Sequence, residues 1–206
     1  MPTIRRGIGR RIAVAAAAVA ALAVPSGALA SGSGGPCNLP ATAKVFAQFG
    51  DENNYYLAKG GGFEYGLSSL LKLDSLAWLG TYTVASQNDP YRLAGDGRSS
   101  ARLRWGGLMT KTAQCVSADQ PHLRLMARSL GDGPLVVRVD TVSLRDVVRS
   151  KTTVIPAAEH GSWAPSRFVS LDTSHMEPHE TGLATITVVS QGDWLVDNVF
   201  IDPYAR

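Results

Sequence analysis

The chain has 206 residues, of which 45% are hydrophobic and 18% are charged, with 20 Lys and Arg against 17 Asp and Glu. Four of the arginines stand in the first eleven residues, so the rest of the chain has 16 basic and 17 acidic side chains. This near-neutral balance argues against nucleic acid as a partner. All fifteen aromatic residues follow residue 30, which excludes a mostly disordered chain.

The first thirty residues are typical of a secretory signal peptide. A cationic start precedes an apolar stretch of 13 residues at 12–24 and then Ala28-Leu29-Ala30, a small-residue cleavage pattern. The stretch is shorter than the roughly 20 residues that span a bilayer as a helix. We expect cleavage after Ala30 and a secreted product of 176 residues, extracellular or associated with the cell envelope and not inserted in a membrane.

The remaining chain divides into a short lead and a domain of strands. Residues 31–40 (SGSGGPCNLP) are predicted to form a flexible lead, which leaves 41–206 as one domain. Apolar–polar alternation and short apolar runs between turn residues predict strands at 44–49, 61–65, 76–84, 101–105, 122–128, 135–140, 142–148, 167–171, 183–189 and 194–201.

Segments between these strands are predicted from their turn residues. The stretch 87–97 is dense in Asn, Asp, Gly and Pro and is predicted to be a loop, and 67–73 is predicted to form one or two helical turns. The sequence GDGP at 131–134 predicts a hairpin between its two flanking strands. Nine or ten short antiparallel strands without crossover helices indicate an all-β sandwich.

Motifs that carry chemistry are absent from the sequence. It contains no G-x-S-x-G, no H-E-x-x-H, no P-loop and no dinucleotide fingerprint, so we expect no enzymatic activity. His175, Glu177 and His179 are spaced as metal ligands on one strand face would be, but Pro178 favours a loop. His160 is interpreted as a solvated turn residue.

Tryptophan positions are interpreted from the same alternation. Trp78 and Trp105 share faces with apolar residues and are predicted to be core residues. Trp163 lies in a predicted loop, where it either offers a half-exposed ring or caps the core.

The two cysteines of the exported product are Cys37 and Cys115. Outside the cytoplasm such a pair predicts a disulfide bond. A metal site would need further ligands close to either cysteine, and none flank them.

Two stretches resemble a known group of domains. GGGFEYG at 60–66 followed by Trp78, and WLVDNVFIDPY at 194–204, are similar to patterns in jelly-roll carbohydrate-binding modules of the galactose-binding-like group. The chain also resembles short secreted bacterial proteins of unassigned activity, through Cys115-Val116 and the runs at 121–128, 135–139, 163–166 and 192–204. The resemblance implies a jelly roll that binds extracellular or cell-envelope carbohydrate, with a structural or adhesive surface protein as the alternative.

The resemblance also implies a structural calcium ion. In the resembling modules a Glu of the early strand and an Asp of the closing strand lie near one cation, and Glu64 and Asp197 match these positions. Asp197 stands among apolar residues, where an unpaired carboxylate is costly to bury. A calcium ion, an arginine or backbone N–H groups would each satisfy it.

A ligand surface is predicted from arginines on the polar faces of three strands. If those strands share a sheet, one surface carries Arg102, Arg104, Arg124, Arg128 and Arg138, with Tyr91 in the adjoining loop. Arginine binds carboxylates and sulfates with two parallel hydrogen bonds, so the expected ligand is an acidic polysaccharide. The alternative is a solvated face on which the arginines pair with acids such as Asp140.

Overall fold

The computed structural model describes residues 41–64, 78–94, 97–119 and 122–202. Within these residues twelve β-strands form two antiparallel sheets. The strands are β1 (Tyr56–Leu57), β2 (Leu79–Gly80), β3 (Thr83–Ala85), β4 (Ser100–Leu103), β5 (Leu108–Ser117), β6 (His122–Ser129), β7 (Leu135–Val142), β8 (Val148–Ile155), β9 (Ala164–Pro165), β10 (Val169–Ser170), β11 (Thr181–Ser190) and β12 (Trp194–Ile201).

The two sheets pack face to face as a jelly-roll sandwich. The front sheet has the order β10-β6-β12-β4-β3, with β1 also paired to β12 and β9 to β6. The back sheet has the order β2-β5-β11-β7-β8. From β4 to β7, and again from β11 to β12, successive strands alternate between the sheets. The predicted all-β jelly roll is therefore confirmed.

Alternation between the sheets contradicts the predicted hairpin at 131–134. β6 belongs to the front sheet and β7 to the back sheet, so this segment crosses the end of the sandwich. Gly133 has a φ of 99°, and a Cβ there would overlap the carbonyl oxygen of Gln191. Gly133 therefore lets this segment pass close to the loop that contains Gln191. The segment is not the turn of a β-hairpin.

Both faces of the front sheet are buried around β12, whose eight residues are all buried. Its inner face packs in the main core between the sheets, with Trp194, Val196, Val199 and Ile201. Its outer face contributes Leu195 to a second apolar cluster. That cluster is completed by the other buried members Phe46, Tyr55, Met126, Trp163 and Phe200. Burial on both faces explains why this strand is nearly continuously apolar.

Several predicted elements differ from the structure. Residues 44–49 form no strand, because a 3₁₀ turn at Ala47–Phe49 ends at Gly50. The described part of 61–65 is a turn, with Phe63 at a φ of 52°. Of the predicted strand at 142–148, only the first and last residues are in strands, at the ends of β7 and β8, and 143–147 is the turn between them. Strands β5 and β8 were not predicted, whereas the bounds of β12 match their prediction.

Burial confirms some of the core predictions and contradicts others. Trp78 is buried, and Trp163 caps the outer cluster as a buried residue. Trp105 is 79% exposed, because β4 ends at Leu103 and the alternation does not reach it. His160 is 2% exposed, not solvated, and its ring packs 5.7 Å from that of Trp194.

The predicted signal peptide, the flexible lead and the helical turns at 67–73 lie outside the described residues. The domain limits at 41 and 206 likewise stay predictions. None of the helices in the described part of the chain is long and apolar enough to cross a membrane.

Candidate functional site

An open cleft of about 450 Å³ lies on the outer face of the front sheet. One wall is the loop that follows the 3₁₀ turn, the floor comes from β6, and the other wall comes from the segment between β9 and β10. The lining residues are Phe49, Gly50, Asp51, Glu52, Asn53, Arg124 and Phe168. We call this the Arg124 cleft.

The loop wall is shaped by a short local motif. Gly50 ends the 3₁₀ turn with a φ of 79° and donates its N–H to the Ala47 carbonyl at 2.9 Å. This left-handed conformation is accessible to glycine without strain. The carboxylate of Asp51 then accepts the N–H of Asn53 at 3.2 Å. The motif turns Asp51 toward the sheet and leaves the exposed side chain of Glu52 at the rim.

Arg124 stands at the floor of the cleft because it pairs with Phe200 of β12 on the outer face of the sheet. Its Nη1 donates to Oδ2 of Asp51 at 2.7 Å, and its Nε donates to the Ser166 carbonyl at 2.8 Å. The side chains of Arg124 and Asp51 are only 14% and 8% exposed. This ion pair is therefore shielded from water far more than a surface pair.

Aromatic rings surround the guanidinium group of Arg124. Its central carbon lies 5.0 Å from the centre of the Phe46 ring and 4.9 Å from that of Phe168. Phe168 is 46% exposed, and the centre of its ring also lies 5.0 Å from that of the His122 ring. An exposed phenyl ring is thus held in place by a cation.

The opposite wall carries a second aromatic pair. The ring of Phe49 meets that of Tyr91 edge to face, with 4.8 Å between their centres. Tyr91 is 42% exposed. The cleft therefore lies between two groups of aromatic side chains, and this is an arrangement that can hold a flat, partly apolar ligand.

The electrostatics of the cleft are set by Asp51. Burial alone would raise the pKa of Asp51, but hydrogen bonds from Tyr55 and Arg124 outweigh it and hold this pKa below its usual value. The Tyr55 hydroxyl donates to Oδ2 at 2.5 Å, and burial together with this carboxylate raises the pKa of Tyr55. Asp51 is therefore an ionised acceptor with three donors around it.

The predicted arginine surface is only partly assembled. Arg102 and Arg128 flank Leu195 on neighbouring strands of the front sheet, and Arg124 lies further along β6. Arg138 belongs to β7 of the back sheet, so the prediction that it shares their surface is wrong.

Carboxylates pair with three of these five arginines. Arg102 binds Asp193 through Nε at 3.0 Å and Nη2 at 2.5 Å, and Arg138 binds Asp140 at 2.8 Å. The third pair is that of Arg124. Of the predicted ligand residues, Arg124 lines the cleft and Tyr91 packs against its lining residue Phe49, whereas Arg104 is exposed in the turn after β4.

The sequence patterns did not predict the other residues of the cleft, which are Phe49, Gly50, Asp51, Glu52, Asn53 and Phe168. The first lies in a stretch that was predicted to be a strand, and the polar residues follow it in a loop without periodicity. A signal for Phe168 existed, because it stands next to the buried Val169 and alternation therefore places its ring on the solvent side.

The two residues predicted to hold calcium lie in different surroundings. Both oxygens of Glu64 accept backbone N–H groups, from Arg98 at 2.7 Å and Ser99 at 3.1 Å. Asp197 is 1% exposed and accepts the N–H groups of Asp89 at 3.2 Å and Asn198 at 2.8 Å.

A second buried carboxyl group, that of Asp89, adjoins Asp197 and receives a hydrogen bond from the Asn198 amide. Burial, and then the charge of Asp89, raise the pKa of Asp197 to about 8. Within the described residues no three acidic, His or Cys side chains form a metal-binding group. The pair Asp89 and Asp197 suits a hard cation, and Glu64 acts on Asp197 through its charge.

The segment 172–180 is a loop, as its proline indicated. Its candidate ligands face separate partners, since Glu177 pairs with Arg145 at 2.9 Å and His179 Nδ1 lies 2.9 Å from Asp119. Both ring nitrogens of His175 are buried without a hydrogen-bond partner. These three side chains therefore do not converge on one point.

Cys115 lies half-buried on β5, and its carbonyl accepts the Tyr56 hydroxyl at 3.0 Å. Cys37 is outside the described residues, so the disulfide bond stays a prediction.

A scan against protein-family models finds no match to this chain, and a search of curated proteins finds none either. Solved structures of similar fold do exist. One is the N-terminal part of the xylanase 10B of Clostridium thermocellum, a carbohydrate-binding module of family 22 with its glycoside hydrolase module, complexed with xylohexaose. It is 11% identical with a TM-score of 0.48; the match covers 72% of this chain and 29% of the xylanase chain.

Two isolated modules are similar in the same way. The family 22 xylan-binding domain of Paenibacillus barcinonensis Xyn10C is 10% identical with a TM-score of 0.40, over 71% of this chain and 93% of the module. A family 61 module in complex with β-1,4-galactotriose is 18% identical with a TM-score of 0.39, over 71% of this chain and 97% of the module. The chain thus resembles jelly-roll carbohydrate-binding modules in fold.

Proposed function

We propose that this chain is a secreted, non-catalytic protein that binds extracellular or cell-envelope carbohydrate in the Arg124 cleft. The observation that carries the proposal is the exposed ring of Phe168, held against the guanidinium group of Arg124 and facing a polar loop. Sugar rings combine an apolar face with a rim of hydroxyl groups. An aromatic wall beside fixed polar groups complements both parts.

The charges of the cleft favour a neutral sugar. Arg124 and Asp51 neutralise each other, and Glu52 pairs with Lys44 at 3.2 Å. An acidic sugar would have to compete with Asp51 for the guanidinium group. Groups such as the amide of Asn53 can still exchange hydrogen bonds with hydroxyl groups. We therefore propose a neutral polysaccharide as the ligand of the cleft.

The same charges support binding rather than catalysis. Glycoside hydrolysis generally needs a pair of carboxyl groups, one of them with a raised pKa that can donate a proton. In this cleft the pKa of Asp51 is lowered, and its oxygens already accept hydrogen bonds from Tyr55, Arg124 and Asn53. Asp51 is therefore poorly suited to act as a general acid or base.

Affinity gel electrophoresis of the exported protein tests the proposal, with neutral xylan, β-glucan, galactan and mannan as immobile polymers. We expect retardation by at least one polymer and an approximately tenfold loss of affinity in Phe168→Ala, about 1.4 kcal/mol. Leu144→Ala is the matched control, because Leu144 is 76% exposed in the turn between β7 and β8. Absence of retardation by every neutral polymer would favour the structural or adhesive alternative.

We also propose that the buried carboxylates near Asp197 hold a structural calcium ion. Two adjoining carboxyl groups, 0% and 1% exposed, support this proposal because burial raises the pKa of both, and a cation between them would offset the cost of two buried negative charges. Asp89 replaces Glu64 as the closest partner of Asp197, and Glu64 stays a candidate for the outer side of the ion.

A further inference from the structure

The turn between β4 and β5 presents the indole of Trp105 to solvent, with 79% of the residue exposed. The turn is held firmly. Gly107 donates its N–H to the Arg104 carbonyl at 2.6 Å, and Gly106 has a φ of 73°. Gly106 also donates to the Ser190 carbonyl at 2.9 Å, and Ser190 donates to that of Gly107 at 2.9 Å. Backbone hydrogen bonds therefore hold the turn that presents this large apolar ring to water.

Three arginines lie near the end of the front sheet that carries this turn. Arg104 directly precedes Trp105, while Arg102 and Arg128 lie on either side of Leu195, each about 4.8 Å away in the sheet. Nε and Nη2 of Arg102 both donate to the carboxylate of Asp193. Within the described residues, Arg104 and Arg128 form no ion pair, and the Nε of Arg128 is buried without a hydrogen-bond partner.

The charge of this region is positive when all its near neighbours are included. Asp193 cancels one arginine, and the exposed Asp132 lies on the crossing segment, which touches Gly192 in the turn between β11 and β12. Glu159, in the 3₁₀ turn that follows β8, is paired with Arg167 at 2.5 Å. Three arginines against two carboxylates leave a net charge of +1. Each guanidinium group can bind an anionic group with two parallel hydrogen bonds.

We propose that Arg102, Arg104, Trp105 and Arg128, the Trp105 surface, bind an anionic glycan that carries carboxylate or sulfate groups. The indole stacks on a sugar ring, and the guanidinium groups of Arg104 and Arg128 bind its acidic substituent. Arg128 and Arg124 are four residues apart on β6, so Arg128 lies about 13 Å from the floor of the Arg124 cleft. It is a second site with a ligand of different charge.

The test uses the exported protein with polygalacturonate and dextran sulfate as probes. Trp78, Trp163 and Trp194 are buried, so Trp105 dominates the quenching of tryptophan emission by acrylamide. We expect either polymer to protect this emission. We expect affinity to fall about tenfold or more in Trp105→Ala and in Arg104→Ala, and to fall between 50 and 300 mM NaCl because salt screens the charges.

Arg138→Ala is the matched control, since it removes the same charge from the back sheet. Equal losses in Arg138→Ala and Arg104→Ala would overturn the proposal, because only net charge would then matter. Unchanged affinity in Trp105→Ala would also overturn it. So would binding to phosphatidylglycerol vesicles together with no binding to the polymers, which would make this a membrane-docking surface. Phe168→Ala separates the two sites, because it should weaken neutral polymers and leave the anionic ones unaffected.

Discussion

The carboxylate of Asp51 lies 2.7 Å from Nη1 of Arg124, and this contact joins the loop after the 3₁₀ turn to the central part of the front sheet. The phenyl rings of Phe46 and Phe168 both pack against the guanidinium group, with their centres 5.0 and 4.9 Å from its central carbon. The pair therefore supports the fold of the N-terminal segment and the floor of the cleft together. Its removal should affect both stability and binding.

Arg124→Ala should destabilise the fold by about 3 kcal/mol, because it leaves Asp51 buried and unpaired. The measurement is urea unfolding followed by far-UV circular dichroism. Arg138→Ala breaks an ion pair whose arginine side chain is 57% exposed, and it should change stability by less than about 1 kcal/mol. Equal, small effects of the two substitutions would contradict a structural role for the Arg124 pair.

Acid should weaken the fold through Asp51. Although burial opposes it, hydrogen bonding to Tyr55 and Arg124 lowers the pKa of Asp51 in the folded state. Asp51 therefore contributes stability above its unfolded pKa near 3.8, and this contribution is lost as the pH falls through the lower folded pKa. In thermal melts between pH 2 and 6, Asp51→Asn should lower the melting temperature at pH 6 and flatten its acid decline. A parallel decline in both proteins would contradict this.

The disulfide between Cys37 and Cys115 should close a loop of 79 residues. The chain-entropy relation gives a stabilisation of about 4.5 kcal/mol for a loop of that length. Intact-mass analysis of the exported protein should show no alkylation before reduction and two alkylated thiols after it. Two alkylated thiols without reduction would show that the bond is absent.

Calcium should raise the melting temperature at pH 7, and a chelator should lower it. Burial and the charge of Asp89 raise the pKa of Asp197 to about 8, so a bound cation should act most strongly on this carboxyl group. Without a cation, protonation of Asp197 stabilises the fold fully below pH 4, and this contribution is lost as the pH rises through 8. Asp197→Asn should abolish the response to calcium. A wild-type melting temperature that ignores both calcium and chelator would rule the site out.

Gly133→Ala should destabilise the fold by about 2 kcal/mol or more. The φ of 99° is strained for alanine, and the added Cβ would overlap the carbonyl oxygen of Gln191. Gly131→Ala, two residues earlier, adds a Cβ in open space and should be nearly neutral. Chemical unfolding of both variants compares them directly, and similar values would refute the close crossing of the two loops.

The local pattern predicted strands well where a strand has one buried face or is buried on both faces. The prediction for β12 matches its bounds, and those for β6 and β11 fall within theirs. The pattern was misleading where a bulge interrupts alternation. Asn198, with a φ of 49°, shifts β12 so that Asp197 and Phe200 both face outward. In β5 a similar register shift at Ala113, which has a φ of 51°, interrupts the alternation, so the strand could not be recognised from its sequence.

The sequence by itself determined the class of fold, because the period of side-chain burial is a property of each strand alone. It did not determine which strands share a sheet. That choice depends on packing between segments far apart in the chain, and it separated Arg138 from the other four arginines. Tertiary structure alone placed Asp51 against Arg124, 73 residues away, and so decided where the cleft lies. Long-range contacts of this kind leave no periodic signal, since they satisfy charge and shape at single positions.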